Sequence, residues 1–266
     1  MTFSARRIIL LVMESTAWPL HDLTLKALDI SLLTVFYKEF GLQLTTHSQD
    51  AVVLGAGDSA RLTLKQLVNG RPRPRKTAGL FHFALLLPDR ASLGAFVQFA
   101  ARKSFRFLGA ADHLVSESLY FSDPEGNGIE VYADRERQLW KWEGNTVKMA
   151  TIGLDLDKLA RLPGPEWSGF PPGTRLGHLH LTVGNLDRSA EFYKTLGLSM
   201  TLDWGNFRFF SWDGYHHHVA LNLVEGRNAA PVAPEISGLE SFSIDRGTVS
   251  REVLDPNGIR LLRRTL

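Results

Sequence analysis

The chain has 266 residues, 44% of them hydrophobic and 22% charged, with 23 Gly, 12 Pro and no Cys. This ordinary globular balance excludes a disordered chain, a collagen and a disulfide scaffold. Lys plus Arg number 30 against 28 Asp plus Glu, so the formal charge is only +2, and no nucleic acid or other polyanionic partner is expected. Without thiols, any metal must be held by His, Asp or Glu.

Near the start, Arg6-Arg7 followed by Ile8 to Met13 faintly resembles a signal sequence, but the apolar run is short, Glu14 ends it and no small-residue cleavage site follows. No stretch approaches the roughly 18 to 20 apolar residues of a membrane span, so the expected setting is the cytoplasm. An alternating strand through Leu23, Leu25 and Ala27 leads into a helical stretch ending in Phe36-Tyr37-Lys38-Glu39-Phe40-Gly41-Leu42. The basic run Arg71-Pro72-Arg73-Pro74-Arg75-Lys76 reads as a Pro-stiffened, solvated loop. A second strand pattern, Gly79-Leu80-Phe81-His82-Phe83, opens a stretch that passes His113 and Tyr120, turns at Asp123-Pro124-Glu125-Gly126-Asn127-Gly128 and closes through Ile129-Glu130-Val131. Because a strand and not a helix follows those glycines, they suit a positive-φ turn and not a phosphate loop. After a Trp-, Pro- and Gly-rich linker over 134–175, strand alternation returns at Leu179, Leu181 and Val183, flanked by His178 and His180. A helix follows into Phe192-Tyr193-Lys194-Thr195-Leu196-Gly197-Leu198, then His216-His217-His218 opening an apolar strand, and finally Gly238-Leu239-Glu240-Ser241-Phe242 and the turn Asp255-Pro256-Asn257-Gly258.

Two phrases therefore occur twice: the Phe-Tyr helix end, and the Gly-Leu strand that leads to an Asp-Pro turn. Self-similarity of this kind marks a repeat architecture. It divides the chain into four strand-helix-strand-strand-strand modules at about 20–70, 80–133, 176–225 and 238–264. The fourth is shortened: Ser241 to Arg260 is 19 positions where His82 to Glu130 is 48, so its crossover helix is missing. The apolar sheet face it would have covered is then bare, and a homodimer is one way to cover it.

This arrangement resembles the vicinal oxygen chelate superfamily of glyoxalases, extradiol ring-cleaving dioxygenases and bleomycin- and fosfomycin-resistance proteins. It is most similar to catechol 2,3-dioxygenases over Asp112 to Tyr120, Glu130-Val131-Tyr132 and Gly214 to Asn222. The resemblance implies an α+β fold of tandem βαβββ modules forming paired open barrels. The first half is 1–133, the linker 134–175, and the second half, with module three and the shortened module four, 176–266.

The resemblance also implies a metal held from the first strand of each paired module and the last strand of one or both. Modules one and four offer only Asp22 or Thr24, with His21 out of phase, and Ser241 with Arg260, whose charge would oppose a metal. Modules two and three offer His82, Glu130 and His178, the two-His-one-carboxylate set of non-haem Fe(II) sites, for which Mn(II) is a substitute. Familiar extradiol enzymes use their last two modules, so an inner-pair site departs from the family pattern. His82 alternates with Phe81 and Phe83, and Glu130 with Ile129 and Val131, which turns each polar side chain from the helix-packed face. An ionised Glu buried there needs a cation.

Extradiol cleavage of a catechol-like aromatic by O2 also needs an acid and a base. The family position points to His217 for both, with His216 and His218 on the opposite strand face. The family likeness makes Tyr120 the hydrogen-bond partner of a substrate oxygen; His113, His180, His216 and His218 are further substrate-binding candidates. A glyoxalase-type isomerase or transferase would want a fourth, carboxylate ligand, where module three has Asn222 in phase and Glu225 beyond the apolar run. A non-catalytic, drug-sequestering binder of the same fold would need no metal.

Overall fold

The computed structural model describes residues 18–224, 226–245 and 251–263. The stretch Arg6 to Met13 and the residue Glu225 lie outside them. Module one supplies β1 (Leu20–Ala27), α1 (Ile30–Phe40), β2 (Gln43–His47), β3 (Ala51–Ala56) and β4 (Ala60–Gln66). Module two supplies β5 (Gly79–Leu87), α2 (Arg90–Ala101), β6 (Arg106–Asp112), β7 (Ser116–Ser122) and β8 (Gly128–Asp134). The linker holds a 3-10 turn at Arg137–Leu139, the short pair β9 (Trp142–Glu143) and β10 (Thr146–Val147), and α3 (Leu156–Ala160). Module three follows as β11 (Arg175–Thr182), α4 (Leu186–Thr195), β12 (Ser199–Asp203), β13 (Phe207–Ser211) and β14 (Val219–Asn222). Module four has β15 (Gly238–Ile244), β16 (Arg251–Leu254) and β17 (Arg260–Arg263), with no helix among its described residues. No helix of the described chain is long and apolar enough to cross a membrane.

Two large mixed sheets result. One runs β16-β17-β15-β1-β4-β3-β2, the other β12-β13-β14-β11-β5-β8-β7-β6. Each is joined at its middle by an antiparallel seam between the first strands of two modules, β1 with β15 and β5 with β11. Modules one and four thus share one sheet, and modules two and three the other.

The two repeated phrases meet in space, which explains why both recur. α1 starts at Asp29, whose carboxylate accepts the Leu32 N–H, and stops at Gly41, where φ is +113°, a conformation only glycine adopts without strain. Between these caps, Tyr37 faces inward and its hydroxyl donates to Asp123 Oδ2 at 2.8 Å in the Asp-Pro turn of module two. In the second half, Tyr193 of α4 donates to Asp255 Oδ2 at 3.2 Å in the turn of module four. The sheets therefore join modules across the two halves, while these Tyr-Asp bonds join modules within each half.

The expectation of a bare apolar face in module four is not met. Leu239, Phe242, Ile244 and Leu261 are buried in the same core that holds the helix-packed faces of both sheets. Strand β15 also touches β5 of the neighbouring sheet. Among the described residues, the outer pair also brings no ligand set together. Arg61 sits 3.4 Å from Asp22, Thr24 pairs with Ser241, Arg260 contacts Glu240 at 2.7 Å, and His21 lies 3.4 Å from Asp245.

Candidate metal centre and substrate cavity

The inner sheet converges on Ala84. Parallel pairing of β5 with β8 sets Glu130 opposite Ala84 on one side, and antiparallel pairing of β5 with β11 sets His178 opposite it on the other. His82 stands two residues away on the same face. Ala84 is small and fully buried, so the three longer side chains meet above it. His82 Nε2 lies 2.9 Å from Glu130 Oε2, His178 Nε2 lies 3.0 Å from the same oxygen, and the two ring nitrogens are 3.3 Å apart.

This triangle fits a metal ion. Three N and O donors about 2.1 Å from one ion at right angles stand about 3.0 Å from one another. Protonation suits it too. Burial opposes ionisation of Glu130, but His178 and His82 beside it hold its carboxyl well below the usual range. Burial pushes His178 down to about 4. Near neutral pH, Glu130 is therefore a carboxylate and His178 a neutral imidazole, both with lone pairs to offer.

The triangle forms the floor of a cavity of about 330 Å³. Tyr120 sits directly across from Glu130 in the β7-β8 pairing and lines the cavity. Its hydroxyl lies 2.7 Å from His113 Nε2, and His113 Nδ1 lies 2.8 Å from the Ala150 carbonyl. A carbonyl only accepts, so Nδ1 carries a proton, and in the neutral ring Nε2 then accepts from the Tyr120 hydroxyl, whose own oxygen lone pairs are left toward the cavity. His180 lines the opposite wall with its ring against Phe81 and His82, and its buried Nε2 has no hydrogen-bond partner among the described residues.

Of the three consecutive histidines, His217 lines the cavity, its ring 4.2 Å from that of His178. Residues 216–218 lie in a bend before β14 and not in the strand, so the expected alternation does not govern them. Instead of facing opposite ways, His216 and His217 touch, with Nδ1 atoms 2.7 Å apart, and His216 Nε2 is 3.0 Å from Asp134. This leaves His217 Nε2 as the ring nitrogen toward the cavity. His216 and His218 are wholly buried behind the wall, His218 against Trp18, Tyr215 and Ser211.

Phe81 departs from simple alternation as well. The β5-β11 register slips between the His180–His82 and Leu181–Leu80 pairs, and the bulge carries Phe81 onto the cavity wall beside His82. Sequence reasoning missed the remaining apolar wall. Trp204, Phe207 and Phe209 come from module three, and Met149 and Thr151 from the linker. The Phe207 and Phe209 spacing is readable as one strand face, whereas nothing in the linker's composition marks it as a wall. Among the described residues, no fourth carboxylate joins the triangle. Where module two places Glu130, opposite the residue two beyond its first-strand His, module three places Ala220 opposite His180. Asn222 lies further along, bonded to Thr182 and the Val224 N–H.

Residues 27–131 match the model of the Glyoxalase/Bleomycin resistance protein/Dioxygenase superfamily. The chain is 38% identical over 239 residues to a protein named catechol-2,3-dioxygenase from Bacillus subtilis (strain 168), covering 87% of this chain and 83% of that one. Among solved structures, the cppA protein of Streptococcus pneumoniae TIGR4 matches with a TM-score of 0.57 at 11% identity, covering 93% of this chain and 99% of that one. Glyoxalase I from Zea mays matches with a TM-score of 0.53 at 13% identity, covering 92% and 91%. These last two likenesses concern the fold.

Proposed function

Because the chain belongs to the glyoxalase/bleomycin resistance protein/dioxygenase superfamily, we propose that it is an Fe(II)-dependent extradiol dioxygenase opening the ring of a catechol-like aromatic with O2. The observation that carries this reading is the triangle of His82, His178 and Glu130, 2.9 to 3.3 Å on a side, at the floor of an aromatic-walled cavity. Two His and one carboxylate hold non-haem Fe(II) on one face and leave the other face open. When bound, the iron supplies coordination positions for an aromatic diol and dioxygen side by side and a route for electrons between them.

The other roles belong to the chain. Burial, with the nearby His178 and His216, pushes His217 well below its usual range, so it enters the reaction as a neutral base. Its Nε2 takes a hydroxyl proton from the diol and returns it when the ring opens. Tyr120, its own proton committed to His113, accepts from the remaining substrate hydroxyl and fixes the ring's orientation. His180 Nε2, without a hydrogen-bond partner among the described residues, offers a further polar contact. Phe81, Phe207, Phe209 and Trp204 give the ring an apolar wall to pack against. Mn(II) fits the same donors. The glyoxalase alternative is disfavoured by Ala220, which offers no ligand where a fourth carboxylate would stand.

The test is direct. Protein purified without oxygen is loaded with Fe(II), its metal content measured, and catechol and oxygen added. One iron per chain and a yellow ring-opened product are expected. Iron-replete protein that consumes no oxygen with any of several catechols would refute the reading.

A further inference from the structure

The basic run Arg71 to Lys76 is more than a solvated loop: it forms one rim of the way into the cavity. A second, wider opening of about 790 Å³ adjoins the inner cavity, and Phe81, His82 and Tyr120 line both. Arg73, Arg75 and Lys76 line its rim on one side, and Arg106, at the start of β6, also lines it. The one acid among the lining residues is Glu125, and both of its oxygens are taken, accepting the backbone N–H groups of Leu28 and Asp29 at 3.1 and 2.8 Å. Arg75, Lys76 and Arg106 form no ion pair among the described residues.

The rim is held in place. Arg71 is anchored by Glu235, both through its side chain at 2.7 Å and through its backbone N–H at 2.8 Å. Arg73 donates to the Leu80 carbonyl, only two residues from His82. The turn beyond is closed by Thr77 Oγ1 donating to the Pro74 carbonyl at 2.7 Å. Four cations facing one committed carboxylate in a chain whose formal charge is only +2 make a local field that favours anions.

From this geometry we infer that the opening is an anion subsite, and that the substrate is a catechol carrying a carboxylate on its ring side chain. The inference rests on the dioxygenase reading of the inner site. The diol ring fills the apolar cavity, and the carboxylate remains in the wider opening, paired with Arg75, Lys76 and Arg106 and reachable by Arg73. Charge-assisted hydrogen bonds of this kind discriminate an acid from its neutral ester.

The experiment compares a carboxylated catechol, its methyl ester and plain catechol on iron-loaded protein, by turnover and by calorimetric binding. The acid is expected to exceed its ester by about tenfold in kcat/KM and in affinity, the ratio that a hydrogen bond to a charged group supports. Raising the salt to about 0.5 M should shrink that preference. A triple variant, Arg75→Gln, Lys76→Gln and Arg106→Gln, should erase it. Equal preference for acid and ester in the unaltered protein, or a preference that survives the triple variant, overturns the subsite. Should no catechol be cleaved, the dioxygenase reading fails, and the subsite is judged on the binding ratio alone, which supports or refutes it by the same tenfold criterion.

Discussion

Removing the Tyr37 hydroxyl tests how the two repeated phrases hold the fold together. Tyr37 is fully buried and donates to Asp123 Oδ2 at 2.8 Å. Asp123 also accepts the N–H groups of Glu125 and Asn127 and the Asn127 side-chain amide, at 2.8 to 2.9 Å. Tyr37→Phe therefore removes one of four donors and leaves the carboxylate with three. A hydrogen bond to a charged acceptor is worth about 1.5–3 kcal/mol, and with three donors retained the loss should fall near the lower end, about 1.5–2 kcal/mol. For a chain of this size, at about 2–4 °C per kcal/mol, Tm should drop by about 3–8 °C. The matching Tyr193 bond is longer, at 3.2 Å, so Tyr193→Phe should cost less, about 1 kcal/mol. Thermal melts and urea titrations read both, and an unchanged m-value would show that only stability moved. Adding Asp123→Asn completes a double-mutant cycle that isolates the pair. A Tyr37→Phe melt within about 1 °C of the parent, or a larger loss from Tyr193→Phe, would refute this account of the repeat.

Three further predictions concern the inner site. Fe(II) at about 100 times its Kd should stabilise the chain by about 2.7 kcal/mol, raising Tm by about 5–11 °C; a chelator should reverse the rise and His82→Ala abolish it, while Ser241→Ala in the outer sheet leaves it intact. His217→Ala should keep the metal content of the parent and lower kcat by about 10²- to 10⁴-fold, the range for losing an acid-base group, read by oxygen uptake beside metal analysis. Ala84→Leu would put a branched side chain beneath the meeting point of His82, His178 and Glu130, so it should lose metal, measured by elemental analysis, while melting remains cooperative.

Sequence and structure agree where the information is periodic or repeated. The Phe36-Tyr37 and Phe192-Tyr193 phrases could be read because each marks the buried face of a capped helix, and their Asp-Pro counterparts because the same tyrosines bind them. His82, Glu130 and His178 stand out as polar residues on otherwise apolar strands, and the strand pairing brings them together around Ala84. Features that depend on irregular backbone were harder to read. A bulge moves Phe81 to the face of His82, and a bend turns His216 toward His217 instead of away from it. Burial of the module-four face in the shared core, and the contribution of Met149 and Thr151 to the cavity, are tertiary properties with no local pattern. The basic run kept its loop character, but its place at the cavity rim depends on which strands pair.

On the proposed reading, the inner site cleaves an aromatic diol beside its two hydroxyls with both atoms of O2. Mass analysis of the product formed under isotopically heavy dioxygen tests it most directly, with iron-loaded protein and its Glu130→Ala variant run side by side. A product opened outside the diol and carrying two heavy oxygen atoms is expected from the parent, and none from Glu130→Ala. A product opened between the hydroxyls, a product with no heavy oxygen, or undiminished turnover by Glu130→Ala would contradict it.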